Sequence, residues 1–318
     1  MKAALAVLAV TAAVAAIAAS PAAADGLSPD ELLSRYQPVT VLGQGELFAP
    51  TSVDDFLTDA TLEREADDGS FQPVEMPSVG VPVHGDGWRL DHRCAAIGGP
   101  LAAAQCYDPA SIGPSVVYGR YEVIAGTTVL QYWLFYEHNL WSLPGLPFGA
   151  VWQAHEGDWE VVQIVLDDKQ TPVEAAYSQH CTGQRRDWDD VETASGTSHP
   201  VVYVARGSHA NYFTPGVHAI PLTCYPVEAQ QFFALLGIPP RDVATPGTVL
   251  GPGTTAVERV QDQNPRWLRF PGTWGEAQYI AAPPFGVPPT AFGTSPVGPA
   301  FQDDWLDPLE AIARYVQG

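Results

Sequence analysis

The chain has 318 residues, a formal net charge of −21, and 15 Lys and Arg against 36 Asp and Glu. That length accommodates one large domain or two small ones. The acidity excludes nucleic acid as a partner, because neutralising phosphates takes Lys and Arg, and it disfavours direct attraction to anionic lipid unless cations bridge the two.

Met1-Lys2, the apolar run from Ala3 to Ala19, then Ser20 and Pro21-Ala22-Ala23-Ala24 have the form of a signal peptide, with cleavage expected before Asp25. The run is about 17 residues, short of the roughly 20 of a spanning helix. Residues 1–24 are therefore read as a secretion signal and the mature chain as an extracellular monomer without a transmembrane segment. Residues 25–318 are read as a single domain, with residues 25–113 an N-terminal extension packed on it. Ser28-Pro29-Asp30-Glu31 has capping-box spacing with Pro at the first helical position, which predicts a helix to about Tyr36.

Thirty prolines and 29 glycines interrupt the chain too often for a helical bundle. The β-branched and aromatic runs between them predict strands at Ser115–Ile124, Thr127–Tyr136, Trp159–Leu166, Pro172–Tyr177 and Val201–Ala205, with Ala125-Gly126 turning the first into the second. Several runs are apolar on both faces, which fits the inner layer of a mainly β fold, a β-sandwich with a few peripheral helices and long loops at one rim. Two stretches read as long connections, Leu140–Ala154 and the polar Gly183–Ser198 with Asp187, Asp189, Asp190 and Glu192. Pro226–Leu236 and Pro308–Val316 read as helices, the second packing Leu309, Ile312 and Val316 onto the body.

Cys94, Cys106, Cys181 and Cys224, in a chain read as exported, imply two disulfides. Three pairings are possible; closeness in sequence favours Cys94–Cys106, leaving Cys181–Cys224. A four-Cys zinc site is disfavoured because no C-x-x-C pair exists.

The densest chemistry lies in His155-Glu156-Gly157-Asp158-Trp159-Glu160. On a strand, residues two apart share a face, so Asp158 and Glu160 present adjacent carboxylates, and a turn at Glu156-Gly157 brings His155 over them. Adjacent carboxylates repel unless something positive lies between them. An imidazole and two carboxylates suit a divalent cation, calcium or magnesium foremost and manganese as a further candidate. Tyr136-Glu137-His138-Asn139, Tyr177-Ser178-Gln179-His180 and Arg206-Gly207-Ser208-His209-Ala210-Asn211-Tyr212 end other predicted strands, where the loops of a sandwich gather. His209 is a candidate general base for a metal-bound water; His84, His92, His199 and His218 are read as ordinary histidines. No G-x-S-x-G, H-E-x-x-H, P-loop or G-x-G-x-x-G occurs.

These segments, in this order, resemble a known superfamily. His155-Glu156-Gly157-Asp158-Trp159-Glu160 matches the H-x-x-D-W-E core of the GHRHDWE heptapeptide of necrosis- and ethylene-inducing-peptide-like proteins. It is more similar to the H-x-G-D-W-E of the vacuolar protein sorting-associated protein 62 family, which it also resembles in Arg206–Tyr212, Trp274-Gly275-Glu276 and Ser295-Pro296-Val297-Gly298-Pro299. The likeness runs from about Val116 to Trp305. It implies a β-sandwich with a divalent cation at one rim, His155, Asp158 and Glu160 at the cation positions, and His209 near the metal through water. The necrosis-type proteins add an Asp at the end of the strand before the long connection; that position falls here on His138 or Asn139, with Glu137 beside it. The full GHRHDWE sequence is absent, which counts against cytolytic activity.

The function expected is a secreted, cation-dependent binder of lipid head groups or glycans at a cell surface, with Trp141, Trp152 and Trp188 near the rim. A metal-dependent hydrolase of phosphodiester or glycosidic bonds and a purely structural cation site are the alternatives.

Overall fold

The computed structural model describes residues 26–75, 86–92, 114–142, 152–261, 264–282 and 287–318. In chain order the elements begin with helix α1 (Pro29–Arg35), strand β1 (Val39–Gly43), helix α2 (Val53–Asp59), β2 (Ala60–Glu65), β3 (Phe71–Val74) and β4 (Trp88–His92). The central strands follow: β5 (Ser115–Ile124), β6 (Thr127–Ser142), β7 (Trp152–Leu166), β8 (Pro172–Gln179) and β9 (Thr182–Asp187). Next come β10 (Val201–Val204), β11 (Asn211–Tyr212), β12 (Gly216–Ala219), α3 (Val227–Leu236), β13 (Arg241–Ala244), β14 (Pro246–Leu250) and β15 (Thr255–Arg259). The chain closes with β16 (Ala277–Ala282), β17 (Val287–Thr294), α4 (Asp303–Leu306), α5 (Pro308–Arg314) and β18 (Val316–Gln317).

The fold is mainly β. One sheet runs β15-β5-β6-β7-β8-β9-β18, with the hairpin β16–β17 joined to β7, and a second runs β11-β10-β1-β14. Between them lies an apolar layer in which Leu130, Tyr132, Leu134 and Tyr136 of β6 meet Leu42 of β1, Val202 and Val204 of β10, and Leu32 and Leu33 of α1. The alternate residues Trp133 and Phe135 face the other way, onto Phe56 of α2, Leu90 of β4, Trp267 and Trp274. A strand covered on both faces must be apolar at nearly every position, which is why β6 reads as a continuous apolar run. Each such side chain removed from water contributes about 1.5–3 kcal/mol.

Ser28 forms the expected capping box: its N–H donates to Glu31 Oε2 at 2.8 Å, and the Glu31 N–H donates to Ser28 Oγ at 3.4 Å. The segment after α1 is woven into the second sheet, since β1 pairs parallel to β10 and antiparallel to β14. Cys181 and Cys224 are disulfide-bonded, 43 positions apart, whereas Cys94, Cys106 and His84 lie outside the described residues. No helix among the described residues is long and apolar enough to cross a membrane.

Three expectations need correction. Both ends of Leu140–Ala154 are strand, because the β6–β7 ladder continues through Leu140↔Ala154 to Ser142↔Trp152. The first part of Gly183–Ser198 is also strand: β9 pairs with β8, and Arg185 reaches Glu174 at 2.9 Å, so its polar character marks a partly exposed strand, not a loop. At the C-terminus, Ile312 is buried but the helix stops at Arg314, and Val316 is exposed in β18.

The fold positions the motif through the way β7 divides its second edge. Ala154 pairs with Tyr279 of β16, and Val162 pairs with Tyr177 of β8. Residues 155–161 lie in the gap between these partners. At Gly157 the backbone is left-handed (φ 54°), and a Cβ there would stand 2.1 Å from the carbonyl oxygen of Trp274. Gly157→Ala is expected to cost roughly 2–4 kcal/mol from left-handed strain plus overpacking, read as a lower Tm in thermal unfolding. An unchanged Tm would show that the Trp274 segment yields freely.

Candidate functional site

Simple alternation would place Glu156 with Asp158 and Glu160, and His155 with Trp159. The left-handed Gly157 breaks that pattern. His155 Nε2 lies 3.9 Å from Asp158 Oδ1, while Glu156 turns to the opposite face, where its carboxylate accepts the His92 N–H at 3.0 Å. Trp159 joins that face too, packed against Phe135, Trp267 and Trp274.

A cavity of about 380 Å³ opens over the first face; Asn139, His155, Asp158, Glu160, His180 and Ser208 supply polar groups to it. The three predicted strand-end segments therefore converge on the motif. Ser178 Oγ donates to Glu160 and accepts the Val161 N–H at 2.8 Å. Asn139 pairs across the ladder with His155, and its side-chain oxygen is buried without a hydrogen-bond partner among the described residues. Glu137 and His138, expected as ligands, do not line the cavity. His138 is fully buried between the Phe48 and His92 rings, at 5.4 and 5.1 Å between centroids. Of the strand-end alternatives, Asn139 is the one facing the cavity. Trp141 also lines it, whereas Trp188 packs edge-on against Tyr36 elsewhere, and the Trp152 side chain lies outside the described residues.

His209 is fully buried, stacked on Tyr136 with 3.8 Å between ring centroids. Its Nδ1 bonds Asp158 Oδ2 at 2.9 Å, and its Nε2 lies 3.5 Å from Glu46 Oε1, within ion-pair reach. Glu46 also accepts the N–H groups of Leu47, Phe48 and Gly207. Burial alone would lower the His209 pKa, but the charge of Glu46 and the bond to Asp158 outweigh it and push it up to about 9. With both ring nitrogens turned to carboxylates, His209 is a buried imidazolium and not a base open to the cavity. Burial opposes ionisation of Asp158, yet the hydrogen bond from His209 and the charge of His155 hold its pKa below the ordinary range. Glu160 has no such cation; burial and then the neighbouring Asp158 raise its pKa well above the usual value.

A second buried carboxylate braces the cavity wall. Asp242 accepts from Ser208 Oγ at 2.6 Å, Tyr212 OH at 2.6 Å and His180 Nε2 at 2.7 Å. Neither Glu46 nor Asp242 stands in any motif, so neither was singled out from the sequence.

Two carboxylates, an imidazole and an amide oxygen border one cavity, a donor set whose chemistry suits a hard divalent cation, although the ligand atoms of His155, Asp158 and Glu160 do not all lie within 4.8 Å of one another. His155, Asp158, Glu160 and Asn139 would hold it, and it would supply charge neutralisation and a contact for ligand oxygens.

A model of the family described as vacuolar protein sorting-associated protein 62 matches residues 19–220, and the chain belongs to that family. The match takes in the N-terminal segment that the motif likeness left out, and it stops before Trp274-Gly275-Glu276 and Ser295–Pro299. No curated protein matches the chain. Similar solved structures include one described as a toxin fold for microbial attack and plant defense, at 17% identity and TM-score 0.34 over 60% of this chain and 71% of that one. NLPPya in complex with mannosamine is similar at 16% identity and TM-score 0.33, over 60% and 69%. Necrosis and ethylene inducing protein 2, from the causal agent of cocoa's witches' broom disease, is similar at 17% identity and TM-score 0.32, over 71% and 72%.

Replacing His209 leaves Asp158 and Glu46 buried without their shared cation, so His209→Gln is expected to cost about 3–5 kcal/mol. Because the folded pKa of His209 is raised, its contribution is complete below the unfolded value of 6.5 and is lost as pH rises through about 9. Tm of the wild type should therefore fall between about pH 7 and 10, and His209→Gln should lose that fall. Parallel curves would refute the imidazolium assignment.

Proposed function

We propose that the protein is a secreted, divalent-cation-dependent binder of glycans or lipid head groups at a cell surface. The observation that carries this reading is the cavity: the motif carboxylates and His155 meet Asn139, Gln153, Trp141 and Tyr225 around about 380 Å³, within the size range of small-molecule sites. Asp158 and Glu160 would hold the cation, and the cation would take hydroxyl or phosphate oxygens of the ligand. Gln153 and Asn139 offer amides to a polyol, and the aromatic rings offer apolar faces to a sugar. The burial of His209, with both nitrogens on carboxylates, favours a binding site over one with His209 as general base. Export is supported by the Cys181–Cys224 bond, since disulfides persist in oxidising compartments.

A cation-assisted hydrolase is the second reading. It draws on His180, which borders the cavity and is held by Asp242 at 2.7 Å. Burial would lower the His180 pKa, but Asp242 raises it above the ordinary value, which suits a proton donor.

Calorimetric titration of calcium, magnesium and manganese into the wild type and into Asp158→Asn/Glu160→Gln tests the reading. The variant should lose one bound cation per chain, together with cation-dependent binding to glycan arrays or phospholipid vesicles. Equal cation and ligand binding by the two proteins would refute it. Turnover of phosphodiester or glycoside substrates that disappears in Asp242→Asn would replace it with the hydrolase.

A further inference from the structure

Glu156 is the motif carboxylate that the cavity leaves unused. Its side chain is fully buried on the opposite face of β7, against β4 and the Trp274–Glu276 segment. Oε2 accepts the N–H groups of His92 at 3.0 Å and Glu276 at 3.4 Å, while Oε1 is buried with no hydrogen-bond partner among the described residues. Asp91 of β4 and Glu276 converge on it: one carboxylate oxygen from each of the three lies within 4.8 Å of the others. Gly275 permits the approach, since a Cβ there would stand 2.5 Å from the Glu156 Cβ.

Among the described residues, the positive charge beside this group is Arg89, whose Nε lies 2.6 Å from Glu63 Oε2 and whose Nη2 lies 3.3 Å from Glu276 Oε1. Its guanidinium thus pairs with Glu63 and Glu276, while the Asp91 and Glu156 carboxylates stand beside that of Glu276. Burial, and then the charges of Glu276 and Glu63, push the Asp91 pKa up to about 6. Burial also pushes the Glu156 pKa up to about 8, so its lone buried oxygen is costly as a bare carboxylate and is relieved by a proton or by a cation.

We infer that Asp91, Glu156 and Glu276 form a second cation site, on the face of β7 opposite the cavity, and that its ion is calcium. The donors are all carboxylate oxygens, with no imidazole or thiolate, which selects a hard cation. They come from three separate chain segments, and calcium tolerates such irregular coordination better than magnesium. The ion clamps the sheet β3-β2-β4 to β7, where the Leu90 N–H donating to the Thr273 carbonyl at 3.0 Å already ties the segments that carry Asp91 and Glu276. This site is independent of the one proposed at Asp158 and Glu160.

Equilibrium dialysis against calcium, with Tm recorded in parallel, decides the matter on the full chain. Asp158→Asn/Glu160→Gln is expected to keep one calcium per chain and a calcium-dependent rise in Tm. Glu276→Gln and Asp91→Asn, each altering a half-buried carboxylate, are expected to lose that ion and bind calcium at least about tenfold more weakly there. Terbium in place of calcium should luminesce through the neighbouring Trp274 in the cavity variant and not in Glu276→Gln. Calcium binding and Tm shifts equal to wild type in Glu276→Gln and Asp91→Asn would overturn the inference and assign the cluster a proton. If those two variants do not fold, absence of bound calcium in Asp158→Asn/Glu160→Gln overturns it instead. Each pair of variants addresses one face of β7, so failure of either site shows in its own pair alone.

Discussion

The contact between Gly157 and the Trp274 carbonyl organises the acidic chemistry of this molecule. A strand of ordinary alternation would direct Glu156, Asp158 and Glu160 to one side, and three buried carboxylates would compete for the same space. The left-handed residue shifts the phase of the strand by one position. His155 then stands with Asp158 and Glu160 on the cavity side, while Glu156 and Trp159 join the tryptophan-rich face. One six-residue motif thereby serves both layers of the fold.

The cavity side shows how the protein keeps ionised carboxylates out of water. Asp158 and Glu46 share the His209 imidazolium, and Asp242 is held by two hydroxyls and His180. Such groups are stable only as complete sets, because an isolated buried charge costs far more than a paired one. The turn that carries His209 accepts a left-handed conformation at a non-glycine residue (φ 55°) to complete the first set. Glu160 is the carboxylate left without a cation of its own.

Much of this was legible from residue order. The β5–β6 hairpin, the α1 capping box, the Cys181–Cys224 pair and the convergence of Ser178, Ser208 and His209 on the motif all follow from local chemistry that the chain displays openly. Other parts were hidden for physical reasons. Helix α2 is capped by Ser52, but its seven residues are too few to show a clear period. The extension of β6 through Glu137-His138-Asn139 is polar, and it is strand only because β7 pairs along its whole length. Glu46 and Asp242 belong to no pattern, and their importance lies in the partners that tertiary structure brings to them. The side on which Glu156 falls depends on one φ angle, which spacing alone does not reveal.

The Cys181–Cys224 bond joins two segments that line the cavity. His180 and Cys181 end one wall at the β8–β9 turn, and Cys224, Tyr225 and Pro226 form another at the approach to α3. The α3 wall is also held by an apolar cluster in which Trp141 of β6 and Ile220 meet Tyr225, Ala229 and Phe233, and by the Ile220 N–H donating to the Pro240 carbonyl at 3.2 Å. The covalent link thus fixes the spacing of two cavity-lining segments that lie 43 positions apart in the chain, in addition to the non-covalent contacts each makes with the body.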